Sequence, residues 1–103
     1  MKIRIYYHDT DCGKVVYYAN YLKYLEEART EFFEERGISI KRLTDEGVLF
    51  VVARQEVDYR LPAFYGDVLE VKAYPTYISR VKIEFGYDVI NQKGDTVIEA
   101  KTI

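Results

Sequence analysis

The hydrophobic period of this chain changes once, and that change limits the folds open to it. From Tyr21 onward, apolar groups recur at three- and four-residue spacing: Leu22, Leu25, Ala28, the stem of Arg29, Phe32 and Phe33. Lys23, Glu26, Glu27, Thr30, Glu34 and Glu35 fill the other side. That pattern predicts one amphipathic helix of about 16 residues, roughly 24 Å long. Asn20 is placed to cap its start and Gly37 its end. After Gly47 the period becomes two. A long strand is expected over residues 48–61, buried at its start and half exposed at its end. Residues 68–77 follow, with Leu69, Val71 and Ala73 on one face. Next come Val81, Ile83, Phe85, Tyr87 and Val89, and a last strand over 96–103. Short turns at 62–67, at Ser79 and Arg80, and at 91–95 join them. With a first strand over 2–8, the order is strand, helix, then four consecutive strands. Consecutive strands joined by short turns pair antiparallel. The helix must then cover one face, giving an α+β domain: a curved five-stranded sheet wrapped around one central helix.

A short polar segment over 39–46 is expected to form one or two helical turns capped by Ser39. The 103 residues make a single domain over 1–103. A chain of this size buries only about two-thirds of its unfolded surface, so association would add stability.

Composition removes several chemistries. The net charge of −2, with no basic block, argues against nucleic acid as a partner. The longest apolar runs are far too short to span a bilayer, and residues 1–4 lead into a strand rather than a signal peptide. One cysteine excludes an intrachain disulfide and fits a cytoplasmic protein. One His and one Cys make a self-contained zinc site improbable. Neither serine, Ser39 or Ser79, sits in a Gly-x-Ser-x-Gly context, and no glycine-rich phosphate loop is present.

What chemistry remains is concentrated between Tyr7 and Tyr21. Asp9, Thr10, Asp11 and Gly13 form a polar turn, and an aromatic run through Tyr17 and Tyr18 then opens the helix. The start of a helix offers unpaired N–H groups and favours negative charge. A developing oxyanion can be held there while a nearby carboxylate attacks or activates water. Taken alone, Asp11 reads as a turn residue. His8 and Cys12 invite a Cys–His reading, but such pairs need a thiolate and a third orienting group. His8 reads better as a strand-end residue and Cys12 as a turn filler. The tyrosines at 17, 18, 21 and 24 read first as packing residues, and Arg80 as an exposed turn cation that also suits phosphate.

With these residues in place, the chain resembles the hotdog fold, and within it the 4-hydroxybenzoyl-CoA thioesterase-like family, closest to the Tol-Pal-associated acyl-CoA thioesterases. The residues that carry the resemblance are Tyr7, Asp9-Thr10-Asp11, Gly13, Val15-Val16-Tyr17, Asn20-Tyr21 and Tyr24-Leu25-Glu26-Glu27-Ala28-Arg29. Tyr59, Pro62-Ala63 and Asp67 add to it. The resemblance implies hydrolysis of acyl-coenzyme A. Asp11 would be nucleophile or general base, and the backbone N–H of Tyr18 the oxyanion donor. Gly13, Tyr17, Asn20 and Arg80 would contact substrate, and Asp9 would be a turn or hydrogen-bonding residue. It implies no cofactor and no metal, and a homo-oligomer (a dimer with one continuous sheet, paired again into a tetramer). Close relatives often carry His where this chain has Tyr18, so only a backbone role is carried over. Family members usually continue past the last strand, whereas this chain ends at Ile103: either it is shortened there or the tail is absent. The rival readings are an acyl-CoA or acyl-carrier binding protein, a dehydratase or isomerase using His8, and a scaffold near the envelope division machinery.

Overall fold

Strands β1 (Lys2–Arg4) and β2 (Gln55–Tyr59) are consecutive in the chain, yet they form opposite edges of one sheet. Between them lie β3 (Val68–Ile78), β4 (Ile83–Ile90) and β5 (Thr96–Thr102), in the order β1-β3-β4-β5-β2. Every pairing is antiparallel. The segment joining the two edges therefore has to cross a face of the sheet. It carries α1 (Asn20–Glu34) and α2 (Ile40–Asp45), and α1 packs on the sheet. The computed structural model describes every residue of 1–103 except Cys12, Gly13, Leu49, Arg80 and Val81.

Register explains which face α1 covers. Val71, Val89, Ile98 and Tyr59 lie side by side across β3, β4, β5 and β2; Ala73, Tyr87, Ala100 and Val57 form the next row. Because side chains alternate across a strand, these rows share one face. On the other face run Lys72, Asp88, Glu99 and Asp58, which suits solvent. The buried cluster joins Leu69, Val71, Phe85, Tyr87, Val89 and Ile98 of the sheet to Tyr21, Tyr24, Leu25 and Ala28 of α1. Leu25 is fully buried, which stabilises the fold by roughly 1.5–3 kcal/mol. Arg29 lays its stem on this face and donates from Nη1 to the hydroxyls of Tyr87 (2.9 Å) and Thr102 (3.4 Å).

Gly37 ends α1 as expected: its φ is +78°, its N–H donates to Glu34, and the N–H of Ile38 donates to Phe33. Ser39 caps α2, its Oγ accepting from the N–H of Arg42. Pro75, which has no N–H to give the ladder, sits where the β3–β4 register shifts.

Four expectations are corrected. Leu22 is not a core residue but 43% exposed; the buried stripe runs through Tyr21, Tyr24, Leu25 and Ala28, and Leu22 falls off it by about 100° of helix rotation. Asn20 is not the cap. Ala19 holds that position without a side-chain bond, and Asn20 is the first helical residue. The first strand is three residues long rather than seven, because Tyr7–Asp9 turns into a 3-10 helix. Finally, the strand expected over 48–61 is cut to Gln55–Tyr59, and its apolar start is exposed. Phe50, Val51 and Val52 are 54%, 81% and 51% exposed. The run stands off α1 and the sheet across an open cavity that it lines with Arg29, Phe33 and Phe85, so it is not packed under a layer within the subunit. Phe50 makes a ring contact with Phe33, centroids 6.5 Å apart.

Candidate active site

The chain leaves β1, passes through the Tyr7–Asp9 turn, and doubles back in a tight hairpin. The N–H of Asp11 donates to Val15 (3.0 Å) and that of Lys14 to Asp11 (2.9 Å); Thr10 bridges Val16. Lys14 takes the left-handed conformation, φ +63°, which closes the turn at a conformational cost for a side-chain-bearing residue. The return arm is anchored on its other side: Val15 bridges Phe64, and the N–H of Val16 donates to Ala63 at 2.8 Å. Four residues after Val16 the chain enters α1. Asp11 is exposed on this hairpin, whose outgoing arm is tied to the start of the central helix through Asp9.

That first turn is held from several sides. The carbonyl of Asp9 accepts from the N–H of Tyr17 (3.2 Å) and from Nδ2 of Asn20 (2.9 Å). The hydroxyl of Tyr59 donates to the carbonyl of Tyr18 at 3.2 Å. The N–H groups of Asn20, Tyr21 and Leu22 close onto the carbonyls of Tyr17, Tyr18 and Ala19. No carbonyl among the described residues accepts from the N–H of Tyr18 or Ala19, and no side chain caps the helix. These are the donors a helix start leaves over.

Aromatic rings surround the turn. Tyr17 stacks at a tilt on Tyr18, centroids 4.6 Å apart, and Tyr59 meets Tyr18 and Tyr21 edge to face. The hydroxyl of Tyr17 is held above its ordinary pKa by its hydrogen bond with Tyr18. Burial raises Tyr59, and burial pushes Tyr21 up to about 12. These three phenols stay protonated at neutral pH.

The structure brings Asp11, Tyr17, Tyr18 and Asn20 into one hairpin-and-helix unit. Tyr17 and Tyr18 are 45% and 61% exposed and so are not core residues of the subunit, whereas Tyr21 and Tyr24 are buried. Gly13 and Arg80, and with them Cys12, lie outside the described residues. His8 is exposed and stacks on Tyr6, centroids 5.8 Å apart. Asp9 is the turn and hydrogen-bonding residue that the resemblance implied, and it is buried as well. It is 4% exposed, its Oδ2 accepts from the N–H of Tyr6 (2.9 Å), and its Oδ1 lies 3.9 Å from Nζ of Lys23. The signal available for its burial was its place two residues before Asp11, just after the strand expected over 2–8.

A cavity of about 560 Å³ lies elsewhere, along the C-terminal half of α1, lined by Arg29, Phe33, Phe50, Phe85 and Thr102 among others. Neither Asp11 nor Tyr18 lines it. No helix among the described residues is long and apolar enough to cross a membrane.

An antiparallel sheet packed on one long helix, with a carboxylate hairpin at the helix start, is the architecture of a hotdog thioesterase. Residues 13–98 match the model of the Thioesterase superfamily, and the chain belongs to that family. It is 36% identical over 101 residues to the acyl-CoA thioester hydrolase YbgC of Escherichia coli, covering 98% of this chain and 75% of that protein. It is 47% identical over 72 residues to the acyl-CoA thioesterase YbgC of Helicobacter pylori, covering 70% of this chain and 52% of that one. The crystal structure of a DHNA-CoA thioesterase from Staphylococcus aureus superposes with a TM-score of 0.95 at 27% identity, covering 99% of this chain and 68% of that one. The chain is accordingly an enzyme of the thioester hydrolase class.

Proposed function

We propose that this thioesterase hydrolyses acyl-coenzyme A to the free acid and coenzyme A, with Asp11 as nucleophile or general base. The observation that carries the assignment is the junction of the Asp11 hairpin with an uncapped helix start, where the N–H of Tyr18 meets no carbonyl among the described residues. In the general-base form, Asp11 takes a proton from water as its oxygen bonds to the thioester carbonyl carbon. The Tyr18 N–H stabilises the oxyanion, the C–S bond then breaks, and the sulfur leaves with a proton. In the nucleophilic form, Asp11 bonds to that carbon first, the C–S bond breaks as the thiolate of coenzyme A leaves, and water then cleaves the resulting anhydride to release the acid and restore the Asp11 carboxylate. Thiolate is a good leaving group, so neither form requires a strong general acid. Gly13, Tyr17, Asn20 and Arg80 are assigned to substrate contact, with Arg80 suited to phosphate.

The enzyme is further read as a cytoplasmic homo-oligomer, a dimer extended to a tetramer. Its single cysteine suits a reducing compartment. Two features support association. Among the described residues strand β2 pairs only with β5, leaving one edge open, and the exposed run at Phe50, Val51 and Val52 lies just before it. Open edges and contiguous apolar surface are features that natural proteins cover.

Free-thiol release from a panel of short, long and aromatic acyl-CoA esters tests the substrate class. Turnover of at least one ester is expected. Binding of the esters without thiol release would replace hydrolysis with a carrier or binding role.

A further inference from the structure

We propose that Asp9 is a positioning residue for the Asp11 carboxylate, an inference that rests on the catalytic reading of Asp11. Asp9 and Thr102 are the buried polar residues of the described core, and Asp9 alone of the two carries a formal charge. A buried carboxylate costs free energy unless it is paired and hydrogen-bonded. Here each of its polar groups meets a different part of the site. Oδ2 accepts from the N–H of Tyr6 at the exit of β1. Oδ1 faces Nε2 of His8 at 3.7 Å and Nζ of Lys23, on α1, at 3.9 Å. The hydroxyl of Tyr24, also on α1 and buried, abuts the same carboxylate without a well-formed hydrogen bond. The main-chain carbonyl takes the N–H of Tyr17 and the side chain of Asn20.

The β1 exit, the 3-10 turn and the first turn of α1 are therefore fastened at one residue. Asp11 follows two residues later, its own N–H already committed to Val15. If Asp9 moves, the outgoing arm of the hairpin moves relative to the Tyr18 N–H, which is the separation that the reaction depends on. Misplacement by about 1 Å costs on the order of a hundredfold in rate.

The test compares kcat and KM for Asp9→Ala, Asp9→Asn and Asp11→Asn on one acyl-CoA ester, well below each variant's melting temperature. Asp9→Ala is expected to lower kcat by about tenfold or more with KM held within about twofold. Asp9→Asn, which keeps an acceptor for Tyr6, is expected to recover part of that loss. A lowered melting temperature with wild-type kcat in Asp9→Ala would reduce Asp9 to a structural residue and overturn the proposal. If Asp9→Ala does not fold, Asp9→Asn decides, because it keeps an acceptor for the Tyr6 N–H and loses the charge that faces His8 and Lys23: a kcat loss at constant KM supports positioning, and an unchanged kcat overturns it. Retained turnover in Asp11→Asn would instead remove the catalytic reading of Asp11 on which the proposal stands.

Discussion

The hydroxyl of Tyr59, on edge strand β2, donates to the backbone carbonyl of Tyr18 at 3.2 Å and so ties the sheet edge to the first turn of α1. The Tyr18 carbonyl and the Ala19 N–H belong to one peptide plane, so this bond fixes where a helix-start donor points. Tyr59→Phe keeps the edge-to-face ring contacts with Tyr18 and Tyr21 and removes only the bond. We expect kcat to fall by about two- to tenfold with KM little changed, and stability to fall by no more than about 1 kcal/mol. Steady-state kinetics beside a urea melt measure both.

Alkaline pH should destabilise the protein through its buried phenols. Tyr21 is raised from 10.0 to about 12, chiefly by burial. Tyr24 is raised for the same reason, with the neighbouring Asp9 carboxylate adding to it. A raised folded-state pKa means that the native state holds its proton after the unfolded chain has lost one. Stability from this source is therefore complete below about pH 10 and declines as pH rises from there toward 12. Thermal melts across that window check the slope. Phenolate absorbance should show these tyrosines titrating after the exposed ones.

Gly86 lies opposite Tyr74 in the β3–β4 ladder, and a Cβ at Gly86 would stand 2.6 Å from Cε2 of the tyrosine ring. Gly86→Ala should cost about 1–3 kcal/mol while the ring is present. Tyr74→Ala in the same chain should return part of that cost. Denaturant melts of the two single variants and the double variant measure the coupling. Additive losses would show that the ring is not what excludes a side chain.

Charge placed in the exposed run before β2 should oppose association. Val51→Lys introduces a cation at a residue that is 81% exposed within the subunit, so the isolated fold loses little by it. Sedimentation velocity is expected to show a larger species for the wild type and a shift toward monomer for the variant. An unchanged distribution would place the interface elsewhere.

The sheet was legible in the sequence where side chains alternate against a covered face, as from Ile83 to Val89. The hairpin turn at Asn91 was legible from its Gly94. The helix was legible in extent but not in facing, because Tyr21 and Tyr24 are amphipathic and their burial depends on what the sheet presents. The run at Phe50, Val51 and Val52 misled for a related reason: apolar composition predicts that a surface will be covered, but not whether its own subunit covers it. At the site, the Asp-Thr-Asp turn and the helix start could be read directly. The keystone geometry of Asp9 could not, since its partners Tyr6, Tyr17, Asn20 and Lys23 are brought to it only by the folded path of the chain.

The central claim is that the Asp11 carboxylate carries out the hydrolysis beside the start of α1. The most direct test is single-turnover thiol release by Asp11→Asn against wild type on the best acyl-CoA ester, with ester affinity measured separately. The account predicts a loss of roughly 10²- to 10⁴-fold in the chemical step with ester binding preserved. Asp11→Asn releasing thiol at the wild-type rate would contradict it.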